Sequence, residues 1–527
     1  MKKLNIYFLI ASVLLTTACS KDFLDAEPVT EVTDANFYNT PEDAYSALVG
    51  CYDGMQVATG ISGLSYPVAS MILSDDFFGG TGNADGYGIQ AVDEFDINRS
   101  PSDQNLYENL WSAYYKGIYR CNILINKMDQ INWEGNEELR STYESEARTI
   151  RAYLYFQMVK LWGNIPLLTE ASTENIPQAS PEEVYKVIAE DLSFAAENLE
   201  SVGYSQVEAG RITKWAAKSL LGRVYLYYTG YYGASDLVGM VDKSQALAHL
   251  EDVIANSGHA LVPEFANLWP AASIDDFAGE NNEEIVFSVK YTFTSDYNGN
   301  TDGNHWLVML GIREFSHYPY GSGWGITVNP KIYDAFDDGD TRREASIIAI
   351  DEEEIPFDKI ENQREYTGYY TKKYTPMINE EGNSLVTELG GVDFQIGQFQ
   401  DFYAIRYSDV LLMAAELGSP SAQTYFDEVR QRAYGDSYSQ RTVNLENIQE
   451  ERRLEFALEG IRYWDLLRRG VSAAASEIAT STTLLNGGVE TTKTISESNI
   501  TTTGGLQQIP SNQITLSNGV LVQNPGW

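Results

Sequence analysis

ESEARTIRAYLYFQMVKLWGNIP, residues 144–166, is the clearest helical pattern in the chain. Ala147, Ile150, Leu154, Met158 and Leu161 recur at intervals of three and four and line one helix face. Gly163 then ends the helix, and Pro166 bars its return. The plan extends to both sides. Pro41 to Met55 reads as a helix opened by Thr40-Pro41, with Glu42 and Asp43 in its first turn. Gln104 to Met128 places Leu106, Leu110, Tyr114, Ile118 and Cys121 at helical spacing. Ser180-Pro181-Glu182-Glu183 combines a cap, a proline at the first helical position and acids near the positive end of the dipole.

From Lys214 to Asn256 two helices resemble a tetratricopeptide repeat: Leu221-Gly222-x-x-Tyr225 in the first, Ala246-x-x-x-Leu250 in the second. The small residues there let two helices approach closely. The pair around Ile150 and Val187 repeats the plan more loosely. Helical patterns return at Tyr403–Glu416, Ser421–Ala433 and Leu445–Gly470. In the last, Arg452, Glu455, Glu459 and Arg462 fall at i, i+3, i+7 and i+10, which predicts ion pairing along one face; Arg148 and Arg151 are read as scaffold in the same way. Two long insertions interrupt the helices, at about 58–99 and 264–391, the second with β-like pieces such as Ile285–Val289. Their aromatic content argues against disorder. The Thr/Ser/Asn/Gly-rich tail from Thr480 to Trp527 is expected along the surface. The fold class predicted is mainly α: tetratricopeptide-like helical pairs form a scaffold over about 40–260 and 403–470, and a loop-rich, partly β variable lobe completes a single unit spanning 19–527.

Lys2 and Lys3, an apolar run from Leu4 to Leu15 and small residues up to Cys19 form a secretory signal peptide, residues 1–18. The run is shorter than the roughly 20 residues a spanning helix needs. Leu14-Leu15-Thr16-Thr17-Ala18-Cys19 resembles a bacterial lipobox, so Cys19 is the expected lipidation site, several acyl chains on one cysteine giving a stable anchor. Cys51 and Cys121 remain, too few for a disulfide framework and expected as small buried residues between helices. With 36 basic against 75 acidic residues the net charge is −39, which disfavours nucleic acid and anionic membrane as partners. Hydrophobic residues make up 43% of the chain, enough for a large core.

Several blocks resemble the SusD/RagB family of outer-membrane nutrient-binding lipoproteins, and they occur in that family's order. They are Cys19-Ser20-Lys21-Asp22-Phe23-Leu24-Asp25; Leu110-Trp111 through Cys121-Asn122; Glu146-Ala147-Arg148-x-x-Arg151-Ala152-Tyr153 through Pro166-Leu167; Tyr407-Ser408-Asp409-Val410 through Glu416; Glu451-Arg452-Arg453-Leu454-Glu455 through Asp465-Leu466; and Gln523-Asn524-Pro525-Gly526-Trp527. The resemblance implies a cell-surface lipoprotein of the outer membrane that captures oligosaccharides without chemistry and delivers them to a SusC-like TonB-dependent transporter. A peptide-binding member of the family, or an interaction scaffold resting on the helical repeats, is the alternative.

Tyr291 to Tyr333 is the densest aromatic loop region, and it is interleaved with glycines. Rings on such loops suit sugars, because a pyranose offers an apolar C–H face and hydroxyls at its edge. Trp306, Tyr320 and Trp324 are the expected stacking platforms, with Tyr318 beside them and Tyr87, Asp75 and Asp76 at the edge. Asp296-x-Asn298-x-Asn300-x-Asp302-Gly303 alternates oxygen ligands but lacks the closing Glu of an EF-hand, leaving a structural calcium as a minor option; no other cofactor is expected. His249, His259, His305 and His317 share no metal-ligand spacing, and no nucleotide, nucleophile-elbow or zinc-protease motif is present, so no enzyme is expected.

Overall fold

The structure is a computed structural model that describes residues 37–172 and 174–527; the signal segment and Cys19 lie outside them. Helix α1 (Pro41–Gly60) opens on a capping box, in which the Asp43 N–H donates to the Thr40 hydroxyl and the Thr40 N–H to the Asp43 carboxylate. It packs on α2 (Glu108–Lys127). Then come α3 (Glu137–Trp162), which ends at Gly163, and α4 (Pro181–Asn198), whose Ser180 and Glu183 form a second capping box. Arg151 clamps this pair, donating to Asp191 of α4 at 2.8 Å and to Asn122 of α2 at 2.8 Å.

Helices α5 (Lys214–Tyr232) and α6 (Lys243–Asn256) form the tetratricopeptide-like pair. A Cβ on Gly222 would stand 2.7 Å from Leu250 Cδ2, so glycine there sets how closely the two helices approach. A fourth pair, α7 (Tyr407–Glu416) and α8 (Ala422–Tyr434), docks against α6. The mainly α class holds. Cys51 and Cys121 are buried and unpaired.

Three elements depart from the helical pattern. Residues expected to begin a helix at Tyr403 instead form strand β2 (Phe402–Arg406), which pairs antiparallel with β1 (Ile285–Val289). All five β2 residues are buried, and so apolar a run does not distinguish strand from helix. The stretch from Leu445 to Gly470 is two helices, α9 (Leu445–Glu455) and α10 (Arg462–Leu467), separated by a turn with φ of 66° at Leu458 and 74° at Gly460. The tail, expected along the surface, is largely exposed over its first residues but is ordered. It forms the hairpin β3 (Thr480–Asn486) and β4 (Val489–Ile495), and its later residues bond the end of α3, with Trp162 Nε1 donating to the Gln508 carbonyl.

The broken helix changes what its charges do. They do not pair along one face; each reaches a different part of the chain. Arg452 bonds Asp465 and Asp409, and Arg462 bonds Asp75. Glu455 accepts from Arg432 at 2.5 Å, Arg406 at 2.8 Å and Arg342 at 3.0 Å. Glu459 binds Lys373 and Arg406, Arg406 also meets Glu284, and Arg342 reaches Asp340 and Glu451. With Arg430 on Glu451, five cations balance five carboxylates, all with buried side chains. Burial opposes ionisation of Glu455, but the three guanidiniums hold its carboxyl far below the usual range.

Removing one partner from such a cluster strands its charges without water. Glu455→Gln is expected to lower stability by about 3–5 kcal/mol in urea unfolding. Glu450→Gln, which breaks the exposed Arg441–Glu450 pair, should cost under about 1 kcal/mol.

Candidate functional site

Four of the seven side chains expected at a ligand surface lie inside the protein, each with a structural partner. Trp306 is fully buried, set edge-on to Tyr374 and Phe402 at 5.2 and 5.8 Å. It opens the short turn Leu307–Leu310 and fills the main core with it. Tyr320 is buried in a second apolar cluster with Ile348, Ile350 and Tyr370, and its hydroxyl donates to Glu353 at 2.6 Å. Asp75 takes a two-pronged bond from Arg462 at 2.8 and 3.0 Å, and Asp76 one from Arg453 at 2.6 Å. Against its burial, the guanidiniums around Asp75 hold its carboxyl at about 2. These two aspartates fasten the first insertion to the α9–α10 region and are not free to meet a ligand.

The other three are at the surface: Tyr87 is 66% exposed, Tyr318 38% and Trp324 37%. Trp324 is the exposed one of the nine tryptophans, all of which are described; Trp527 is half-buried and the rest are buried.

Three loops distant in sequence converge around Trp324. Ile312–Arg313 and Ser322–Gly323 pair in parallel, and the Trp324 N–H donates to the Val308 carbonyl at 2.9 Å. This places the Arg313 guanidinium 5.6 Å from the Trp324 ring. Arg313 Nη2 lies 3.3 Å from Asp85 Oδ1, joining the loop to the first insertion. There Arg364 donates to the carbonyls of Asn83, Asp85 and Gly86 and stacks 4.0 Å over the Tyr87 ring. The Asn83 N–H donates to the Asn362 carbonyl and the Arg364 N–H to the Thr81 carbonyl, lacing the 81–87 and 362–364 segments together. The β3–β4 hairpin backs them, the Gly487 N–H donating to Gln363 and the Tyr366 N–H to Leu485. A Cβ on Gly82 would stand 2.7 Å from the Arg313 guanidinium, so a side chain there would have to displace it.

The resulting surface carries two arginine-backed rings, Trp324 and Tyr87, linked through Arg313, Asp85 and Arg364. Asn362 and Glu314 sit beside it, bonded to each other at 2.6 Å. Such a surface can stack a flat apolar face and hydrogen-bond polar edges; it holds no nucleophile with an adjacent base. Arg313 and Arg364 escape sequence reasoning: Arg313 lies in the aromatic-rich 291–333 segment and Arg364 outside it, neither is at a motif position, and only the crossing loops bring them to the rings. In the 296–302 loop, Asp296 Oδ1 accepts from the N–H groups of Asn298 and Asn300, and Asn300 Oδ1 from that of Asp302, so these oxygens cap turns. Among the described residues no group of three or more His, Cys, Asp or Glu is placed to hold a metal.

Paired helices carrying a looped lobe with exposed aromatics make this a binding protein on a helical-repeat scaffold. A model of the SusD family matches residues 355–527, and one described as starch-binding associating with outer membrane matches 22–226. A SusD-like protein of Bacteroides ovatus is 26% identical over 493 residues, 88% of this chain and 82% of the relative. The SusD-like protein P38 of Formosa agariphila is 25% identical over 523 residues, covering 89% and 91%. Among solved structures, a laminarin binding SusD-like protein aligns with a TM-score of 0.73 at 29% identity, over 93% of this chain and 100% of that one. Surface glycan-binding protein A from Bacteroides fluxus shares the fold with a TM-score of 0.77 at 24% identity, over the same shares. SusD-type family models thus match both ends of the chain, and SusD-like proteins are similar to it along nearly nine-tenths of its length.

The burial contrast gives a test of which rings are structural. Trp306→Ala should cost about 3–5 kcal/mol in chemical unfolding, as a large core deletion does. Trp324→Ala should stay within about 0.5 kcal/mol of wild type.

Proposed function

We propose that this protein captures an oligosaccharide at the cell surface on the Trp324–Tyr87 face and hands it to a SusC-like TonB-dependent transporter of the outer membrane. The observation that carries this reading is the one exposed tryptophan, held rigidly by backbone bonds and backed by Arg313. A ring so fixed loses little entropy on stacking against a pyranose, while Asp85, Asn362 and Glu314 supply acceptors and donors for hydroxyls. Tyr318, exposed on the same loop as Trp324, extends the apolar contact. Similarity to SusD-like proteins supports the glycan class, and the laminarin binding SusD-like protein makes laminarin the first ligand to try. Acylation of Cys19 would hold the protein at the membrane; among the described residues no helix is long and apolar enough to cross one.

The test is calorimetric titration of the soluble form beginning at Ser20 with laminarin, other neutral polysaccharides and peptides. Saturable glycan binding is expected, weakened about tenfold or more by Trp324→Ala, a loss of about 1.4 kcal/mol, and less by Tyr87→Ala. Binding to peptides alone would replace the glycan reading with the peptide one. Glycan binding untouched by Trp324→Ala would place the site elsewhere.

A further inference from the structure

Of the four buried lysines among the described residues, three have carboxylate partners: Lys372 meets Glu353, Lys373 meets Glu459, and Lys493 meets Asp93 and Glu365. Lys160, near the end of α3 and only 6% exposed, has no ion pair and no hydrogen-bond partner among the described residues. Four rings surround its ammonium instead: Phe156 at 4.2 Å, Trp464 at 4.6 Å, Tyr66 at 5.1 Å and Tyr227 at 5.7 Å. Such a cage favours a cation over its faces but satisfies none of the three N–H donors.

Lys160 lines a cavity of about 60 Å³ between α3, α5, β2 and the turn into α10. The other charges on its wall are committed elsewhere. Arg223 binds Asp409, Arg452 binds Asp409 and Asp465, and Arg468 binds Asp465 and Glu416. Glu459 is held by Lys373 and Arg406. The wall thus carries four cationic side chains against two carboxylates, and Lys160 is the cation with no carboxylate in contact, Asp465 acting on it only at a distance. Tyr227, also on the wall, keeps a buried hydroxyl with no hydrogen-bond partner. The volume exceeds the roughly 10–15 Å³ that one water requires, yet falls well short of the roughly 300 Å³ at which ligand pockets begin. A sugar does not fit; a monatomic or similarly small anion does.

We infer that this cavity is a binding site for a small monovalent anion of halide size, held by the Lys160 ammonium and aided by the Tyr227 hydroxyl. The anion supplies the counter-charge that every other buried lysine obtains from a carboxylate. It locks α3 to the turn preceding α10, the region through which Arg453 and Arg462 hold the first insertion. Burial and the nearby Arg223 push the Lys160 ammonium towards its neutral form, Asp465 opposes that shift in part, and a bound anion opposes it further.

The experiment is thermal unfolding of the wild-type chain with chloride or bromide replacing gluconate at constant ionic strength. Halide should raise the midpoint, the unfolding constant falling about tenfold at a concentration ten times the dissociation constant. Lys160→Met should abolish the halide effect and Tyr227→Phe should weaken it. No halide dependence in wild type, or the same dependence in Lys160→Met, overturns the site. If Lys160→Met does not fold, bromide-soaked wild-type crystals decide: an anomalous peak within hydrogen-bonding reach of Nζ supports the site, and its absence overturns it.

Discussion

Glu455 is the point on which the architecture turns. Three arginines from three segments converge on it: Arg342 within the second insertion, Arg406 at the end of β2 and Arg432 on α8. Each guanidinium is then shared with a further carboxylate, so the cluster extends through Glu284, Glu451 and Glu459 without leaving an unmatched charge. A chain with a net charge of −39 nevertheless keeps this buried cluster neutral, five cations against five carboxylates. The neutrality is a physical necessity, because a carboxylate out of water without a partner would protonate or unfold the site around it. The cluster also fixes the variable lobe, since Lys373 and Arg342 reach it from within the second insertion.

The lobe is tied down on its other side by Asp75 and Asp76, which meet Arg462 and Arg453. Charges at these two places let loops of great length hold a single arrangement. On that base the 81–87, 311–325 and 359–366 segments cross, and their backbone bonds set Trp324 and Tyr87 over arginines. Gly82 is part of the same constraint, because its missing side chain admits the Arg313 guanidinium. The face proposed to take the glycan is therefore tied down by its own backbone bonds, which is the condition for stacking to yield affinity without a large ordering cost.

Where the sequence pattern was purely local, it was a good guide. The Thr40 and Ser180 caps and the stop at Gly163 are written in residues within a turn or two of one another. The patterns that failed needed distant information. Tyr403 looked helical because a buried strand and a buried helix present similar apolar runs, and pairing with Ile285–Val289 settled it. Arg452 through Arg462 looked like one charged helix face because nothing local shows the turn at Leu458, nor the carboxylates waiting on other segments.

The aromatic-rich loop shows the same division. Composition and local spacing determined that this chain has a large core, a helical-pair scaffold and a glycine-spaced aromatic segment. It could not sort Trp306 and Tyr320 from Trp324, because an aromatic on an irregular loop has no periodicity to say which way it faces. Only the tertiary structure decided that Trp306 completes the core and Trp324 stands outside it. The reason is that inward and outward positions on such loops are set by what the rest of the chain leaves unfilled, and that volume is a property of the whole packing.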